Sequence, residues 1–410
     1  MWNAEIKINK KCFWGGVCFL FLLPFFEPGI VINYSIFHNI HYLYVMARWG
    51  ITAVISLFAI ALGLKTLEVW KCITLVGLLC IELVMITIFR DGELLSVINY
   101  LVTIVGLCML AYVYVIMGNF YVFLKSLSAT LTILIWMNFL LLIIMPEGFY
   151  TSYGETFYFL GHSNNTMRFA MPAVLVSMLC DKMETEKIRK RTKILAIISL
   201  LTVVITHSIT GLFGCGAMFV FAVLMNGNLP KTITAVKALL ISIGTFLFFV
   251  VFRFQYLFEY FFISVLGKDL SLTNRTDFWD KGMEYIVDSV MIGYGYIHDY
   301  APYIRYANGY VPSSLHNFYL DILMRGGILH LVTFIILFIV FCQHLKQRKE
   351  HHTTCIYVYG FLVYSVIWNF DPFIWDGISL LILFLLLPEF EDFNNRKIHK
   401  EISHVFNRNI

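Results

Sequence analysis

Runs of about 18 or more apolar residues, the length that crosses a bilayer as a helix, recur along this chain from one end to the other. Within a bilayer every backbone N–H and C=O must be satisfied inside the chain, and an α-helix does this segment by segment. The feature leaves little choice of architecture: an all-α polytopic integral membrane protein. Composition agrees, since 59% of the 410 residues are hydrophobic and only 14% charged, against about a quarter charged in soluble chains. Twelve spans are expected, near 12–27, 42–64, 72–89, 94–117, 126–145, 165–181, 194–210, 211–225, 232–252, 318–341, 355–370 and 377–388, forming a single membrane domain over residues 1–410. The first run follows Lys10 and Lys11 but has no small-x-small cleavage site after it, so it reads as a retained span. All nine cysteines lie in or beside apolar runs and no C-x-x-C occurs. Neither disulfides nor a structural zinc are expected.

Charge distribution then orients the spans. With the amino terminus inside, the inner connections hold 21 of the 30 Lys and Arg residues, as the positive-inside rule requires. The nine exceptions are Arg48, Arg90, Arg168, Arg253, Lys268, Arg275, Lys281, Arg305 and Arg325, and seven of these nine are arginine. Lysine suffices as a topological anchor, whereas the planar guanidinium is the better partner for phosphate or carboxylate. The bias points to an anionic ligand on the outer face. For Arg48, burial against a neighbour within its span is an equal reading. The longest non-spanning segment, 253–313, falls outside, and no inner connection before the tail exceeds roughly a dozen residues. That excludes a cytosolic domain for nucleotide-sugar chemistry.

Within the outer loop, Thr273 or Asn274 can cap a helix over about 274–290. Its Phe278, Trp279, Met283, Ile286 and Val290 recur at helical spacing, as in an amphipathic helix on a membrane surface. Arg275 stands in its first turn, where the helix dipole opposes a cation. Two readings fit it: an anion ligand, or a local pair with Asp277 or Asp280. Gly293 and Gly295 in "MIGYGY" read as a turn. Arg305 sits among interfacial tyrosines, as a phosphate ligand or a snorkelling side chain. Then comes "SLHNFYLDILMRGGILHLV". On a helix Asn317, Asp321 and Arg325 share a face, so Arg325 is either an anion ligand or the partner of Asp321. His316 has no such local partner and is the candidate for proton transfer; a satisfied interfacial histidine is the plain alternative. Arg168 opens span six, with His162 before it and His207 and Ser208 at the same outer level. No Walker, H-E-x-x-H, G-x-S-x-G or outer D-x-D motif is present, so no metal or cofactor is expected.

The stretch "NRTDFWDKGMEYIVDSVMIGYGY", followed after about forty residues by "SLHNFYLDILMRGGILHLV", resembles the paired signature of the O-antigen ligase and polymerase superfamily. Within it the chain is most similar to Wzy-type polymerases of capsule, exopolysaccharide or O-antigen repeat units. The resemblance implies a GT-C-like membrane glycosyltransferase in the cytoplasmic membrane, with its active site on the outer face. It implies undecaprenyl-diphosphate-linked glycans as donor and acceptor, and glycosyl transfer with inversion and without metal. By matching positions His316 would be the family histidine and Arg275 a diphosphate-binding arginine, both catalytic; Arg168, Arg305, Asn317, Arg325 and Asp376 are the candidate substrate-binding residues. Asp371 and Asp376, in "NFDPFIWDG", stand where ligases often carry an acidic residue. A chain-length regulator and a flippase are candidate partners, and no nucleic acid is implied. The chain departs from the ligase pattern in reading Ser208-Ile209 instead of Ser-Arg, and in placing Arg325 where an acidic residue commonly precedes the glycines. A ligase is the first alternative function. A lipid-linked sugar flippase is the second, disfavoured because no inverted repeats are visible.

Overall fold

A computed structural model describes residues 10–63, 70–152, 155–228, 233–260, 263–264, 275–297, 304, 314–348, 351–371 and 376–408. Lys268, Arg305 and the expected cap at Thr273 or Asn274 lie outside the described residues, as does the side chain of Asp376. The helices are α1 (Lys10–Leu22), α2 (Gly29–Asn33), α3 (His38–Gly63), α4 (Trp70–Phe89), α5 (Leu94–Ile116), α6 (Phe120–Ile144), α7 (Asn165–Thr185), α8 (Lys190–Ile205), α9 (Ile209–Phe219), α10 (Ala235–Phe246), α11 (Arg275–Asp288), α12 (Phe318–Gln347), α13 (Thr354–Ile367) and α14 (Asp376–Arg408). Between α6 and α7 lies a small antiparallel sheet, β1 (Tyr150–Ser152), β2 (Glu155–Tyr158) and β3 (Gly161–His162), in which Phe157 pairs with both Tyr150 and His162.

Among the described residues, five segments are long and apolar enough to cross a membrane: Cys12–Asn33, Ser35–Leu62, Leu94–Ile116, Phe120–Ile144 and Phe318–Gln347. Shorter apolar helices cover Ile73–Phe89, Ile209–Leu224, Ala235–Val251 and Thr354–Ile367. The other three expected spans fall on α7, α8 and α14, whose apolar stretches are too short or too interrupted by charge to qualify by themselves. Twelve spans exceed what helix length and apolarity alone establish. Large apolar side chains stand open along these helices: Leu57 is 70% exposed, Met85 61% and Ile144 72%. Apolar surface on that scale suits lipid, not water.

The chain forms two compact units. One comprises residues 1–69, 106–228 and 389–410. In it, α2 meets the sheet so closely that a Cβ on Gly29 would lie 2.5 Å from the Cα of Gly161. Glu27, only 1% exposed, accepts a hydrogen bond from Arg48 Nη2 at 3.2 Å and lies 2.7 Å from His41 Nδ1. Ser208 caps α9 by accepting the Gly211 N–H at 3.0 Å.

The other unit comprises residues 70–105 and 229–388. Its α11 buries Phe278, Trp279 and Ile286 in an apolar cluster with Leu315, Leu320 and Met324 of the α12 region. Met283 and Val290, expected on the same face, are 45% and 40% exposed. The defining feature of this unit is that α12 is broken: Gly327 has φ 63° and ψ −162°, a region essentially reserved for glycine. A break frees backbone groups that lipid cannot satisfy, and the Gly-rich turn after α11 takes them up. Tyr294 and Gly295 N–H donate to the Met324 and Arg325 carbonyls at 2.9 and 2.7 Å, while Ile328 and Leu329 N–H donate to Val290 and Met291 at 2.8 and 3.2 Å. Contact is so close that a Cβ on Gly327 would sit 2.4 Å from the Met291 carbonyl carbon.

Candidate active site

The turn 314–317 is fixed from three sides. Leu315, fully buried, packs on α11 where Gly282 leaves room; a Cβ there would lie 2.6 Å from a Leu315 methyl. Asp321 Oδ1 accepts the Leu315 N–H at 3.2 Å. Asn317 caps α12, its Oδ1 accepting the N–H groups of Tyr319 and Leu320 at 3.0 and 3.1 Å, and its amide donates to the Asn369 carbonyl at 3.3 Å. Phe318 N–H donates to the Trp368 carbonyl at 2.8 Å. The end of α13, with Asp371 just beyond it, is thereby stitched to the start of α12.

Between these anchors His316 adopts φ 52°, a left-handed conformation that costs a non-glycine residue about 1–2 kcal/mol. The conformation turns its ring onto Phe278, centroids 5.6 Å apart and planes 24° from parallel. Arg275 lies three residues before Phe278, so the two share a face of α11. Burial holds the Arg275 guanidinium below its ordinary pKa, and the nearby Asp371 carboxylate, itself 1% exposed, opposes the shift. An arginine stays protonated throughout the physiological range even so. The site thus gathers an imidazole, a guanidinium and a buried carboxylate from the α11 start, the 314–317 turn and the α13 end.

Arg325, 8% exposed, ends the first half of α12 and lies over the Tyr296 ring at 5.4 Å. Tyr296 is carried by the turn stitched to the break, and its N–H donates to Thr87 Oγ1 of α4 at 2.8 Å. Burial pushes the Tyr296 phenol up while Arg325 opposes that shift. Both Asp321 and Arg325 line a cavity of about 50 Å³ between α4, α5, α12 and α14. Arg168 lies half-buried in the first turn of α7, and His162 in β3 and His207 between α8 and α9 belong to the same unit as Arg168, not to the unit of α11 and α12.

Several arginines singled out by charge distribution have protein partners. Arg48 holds Glu27. Arg90 donates to the Gly293 carbonyl at 2.9 Å and to Ser289, bracing the Gly-rich turn. Arg253 pairs with Asp280 and lies over the Trp279 ring at 5.0 Å. Asp280, one of two local partners considered for Arg275, is therefore engaged by Arg253. Asn317, read as a substrate contact, has its side-chain oxygen and amide both committed to backbone. Sequence reasoning missed Glu82, His330, Thr333 and Tyr296. A lone acid inside "CIELVMITIF" and the histidine of "GGILHLV" were visible signals, but their partners lie about 250 positions apart.

Residues 194–335 match the family model described as O-antigen ligase. Over this stretch the match supports the resemblance to the O-antigen ligase and polymerase superfamily. The matched region runs from α8 into α12 and contains Arg275, His316, Asn317 and Arg325; Asp371 and Arg168 lie outside it. No curated protein and no solved structure matches the chain. This match, together with the apolar helices, supports a multi-pass membrane protein, and the family it names points to glycan transfer.

Proposed function

We propose that the protein polymerises undecaprenyl-diphosphate-linked oligosaccharide repeat units into a surface polysaccharide on the outer face of the cytoplasmic membrane. The observation that carries the reading is the stacking of His316 on Phe278, which stands one helical turn along α11 from the half-buried Arg275. In this reading a sugar hydroxyl of the acceptor attacks the anomeric carbon of the donor as its proton passes to His316. The bond from that carbon to the diphosphate oxygen breaks, and the electron pair leaves with the diphosphate. Arg275, with Arg325 and Arg305 as further candidates, meets the charge that develops there through charge-assisted hydrogen bonds. Attack from the opposite face inverts the anomeric centre, and no covalent intermediate is needed.

The test is chain extension by the purified full-length protein on lipid-linked repeat units, resolved by product length. Proton transfer by one positioned group contributes about 10²–10⁴-fold, so loss of His316 should reduce extension by that factor. Long chains at normal speed without His316 would end the reading. A second reading, ligation of a finished glycan to another acceptor, is favoured by the description of the matching family. The product separates them, because a ligase yields a single transfer to the second acceptor and no ladder of repeat units.

A further inference from the structure

The break in α12 is held from a second side, by groups the reaction above does not use. Glu82, near the middle of α4 and 9% exposed, accepts a hydrogen bond from Thr333 Oγ1 at 2.6 Å, and its other oxygen lies 3.1 Å from His330 Nδ1. His330 and Thr333 are three residues apart on the second half of α12 and share a face. The His330 side chain fills the space beside Gly326, where a Cβ would lie 2.2 Å from His330 Cβ. Gly326 is therefore what lets the imidazole pack against the break. His330 also lines the cavity that Asp321 and Arg325 reach, and the rest of its wall is largely apolar.

An ionisable residue inside a span is costly, and Glu82 is the only charged residue between Lys71 and Arg90. Two helices need no carboxylate merely to pack, since apolar side chains do that as well or better. What the pair supplies is a directional restraint. It fixes the rotation of the second half of α12 against α4 at the point where the helix has lost its own hydrogen bonds. The Gly-rich turn restrains the same break from its other side and carries Tyr296, on which Arg325 lies.

We propose that Glu82 and His330 are positioning residues for glycan transfer: they hold the α12 break so that Arg325 stays on Tyr296, facing the cavity below the His316 turn. The proposal rests on the reading above, with Arg325 among the anion ligands. Its test has two arms on the full-length protein in lipid nanodiscs. In hydrogen exchange, Glu82→Ala should speed exchange roughly tenfold in peptides carrying the Tyr294, Gly295, Ile328 and Leu329 amides, and leave α6 peptides unchanged. Glu82→Gln, which keeps an acceptor and a donor, should restore most of the protection; it also serves if the alanine variant fails to fold. In chain extension, Glu82→Ala should raise KM for lipid-linked repeat units more than it lowers kcat. The same change should have no further effect in an Arg325→Ala background, because coupled residues are non-additive. Unchanged exchange at those four amides, or an equal loss of extension with and without Arg325, overturns the proposal. If the unaltered protein extends no chains while the exchange arm responds as expected, the clamp on the break stands and the polymerase reading falls.

Discussion

Arg275 offers the sharpest separation of a ligand from a structural cation. Simple removal is ambiguous, because Arg275→Ala leaves Asp371, 1% exposed, without the positive charge beside it. Breaking a fully buried pair costs about 3–5 kcal/mol, and here less, since Arg275 is only half-buried. Loss of abundance would follow on either reading. Asp371→Asn removes the charge that Arg275 opposed while keeping nearly the same shape, so Arg275→Ala/Asp371→Asn should return to the membrane at close to normal levels. Activity should not return. A charge-assisted hydrogen bond contributes about 1.5–3 kcal/mol, which corresponds to roughly 10- to 150-fold in kcat/KM. Arg275→Lys adds a pH signature. The burial that lowers the guanidinium pKa acts on a lysine too, and that cation is present only below its depressed pKa. Extension by Arg275→Lys should fall as pH rises, while the unaltered protein shows no such loss from this position. The assay is product length against pH, with abundance measured by immunoblot. Full activity in the double variant would show that Arg275 serves only Asp371.

Three further outcomes follow from the same geometry. His316→Gly should lower extension about 10²–10⁴-fold at normal abundance, because relief of the left-handed φ, about 1–2 kcal/mol, offsets a lost ring contact of about 0.5–1.5 kcal/mol; a thermal melt in detergent checks the offset, and normal extension removes the histidine from the chemistry. Gly327→Ala meets both a glycine-only conformation, about 1–3 kcal/mol, and the Met291 backbone at 2.4 Å, so the protein should be depleted from membranes; a normal amount would contradict the break. Asn317→Ala should destabilise by about 1–2 kcal/mol through the lost cap, whereas Asn317→Asp, which keeps the capping oxygen, should lose less; the order of their melting temperatures decides.

Much of the fold was legible before any coordinates. Each of the twelve expected segments is helical at least in part, because an apolar run that enters lipid has few other ways to satisfy its backbone. The start of α12 was equally legible, since Asn317 followed by an apolar run is a local cap signal. The same spacing that placed Asn317, Asp321 and Arg325 on one face did not reveal their work. Asn317 is occupied by α12 and α13, Asp321 takes the Leu315 N–H, and Arg325 lies on Tyr296.

What only the tertiary structure decided is where the polar groups go. Two glycines in an apolar helix are compatible with a straight span; α12 breaks because the turn at 290–295 supplies the donors and acceptors that the break needs. Glu82 and His330, 248 positions apart, gain meaning only as a pair. Arg48, Arg90 and Arg253 carried the same outer-side signal as Arg275, and their distinction is the partner each one meets. Apolar periodicity is a local property, read within a few turns of helix, so the sequence determines it alone. A buried charge or a freed carbonyl is satisfied by whatever the fold brings within 3 Å, and in this chain that partner is often a hundred or more residues away.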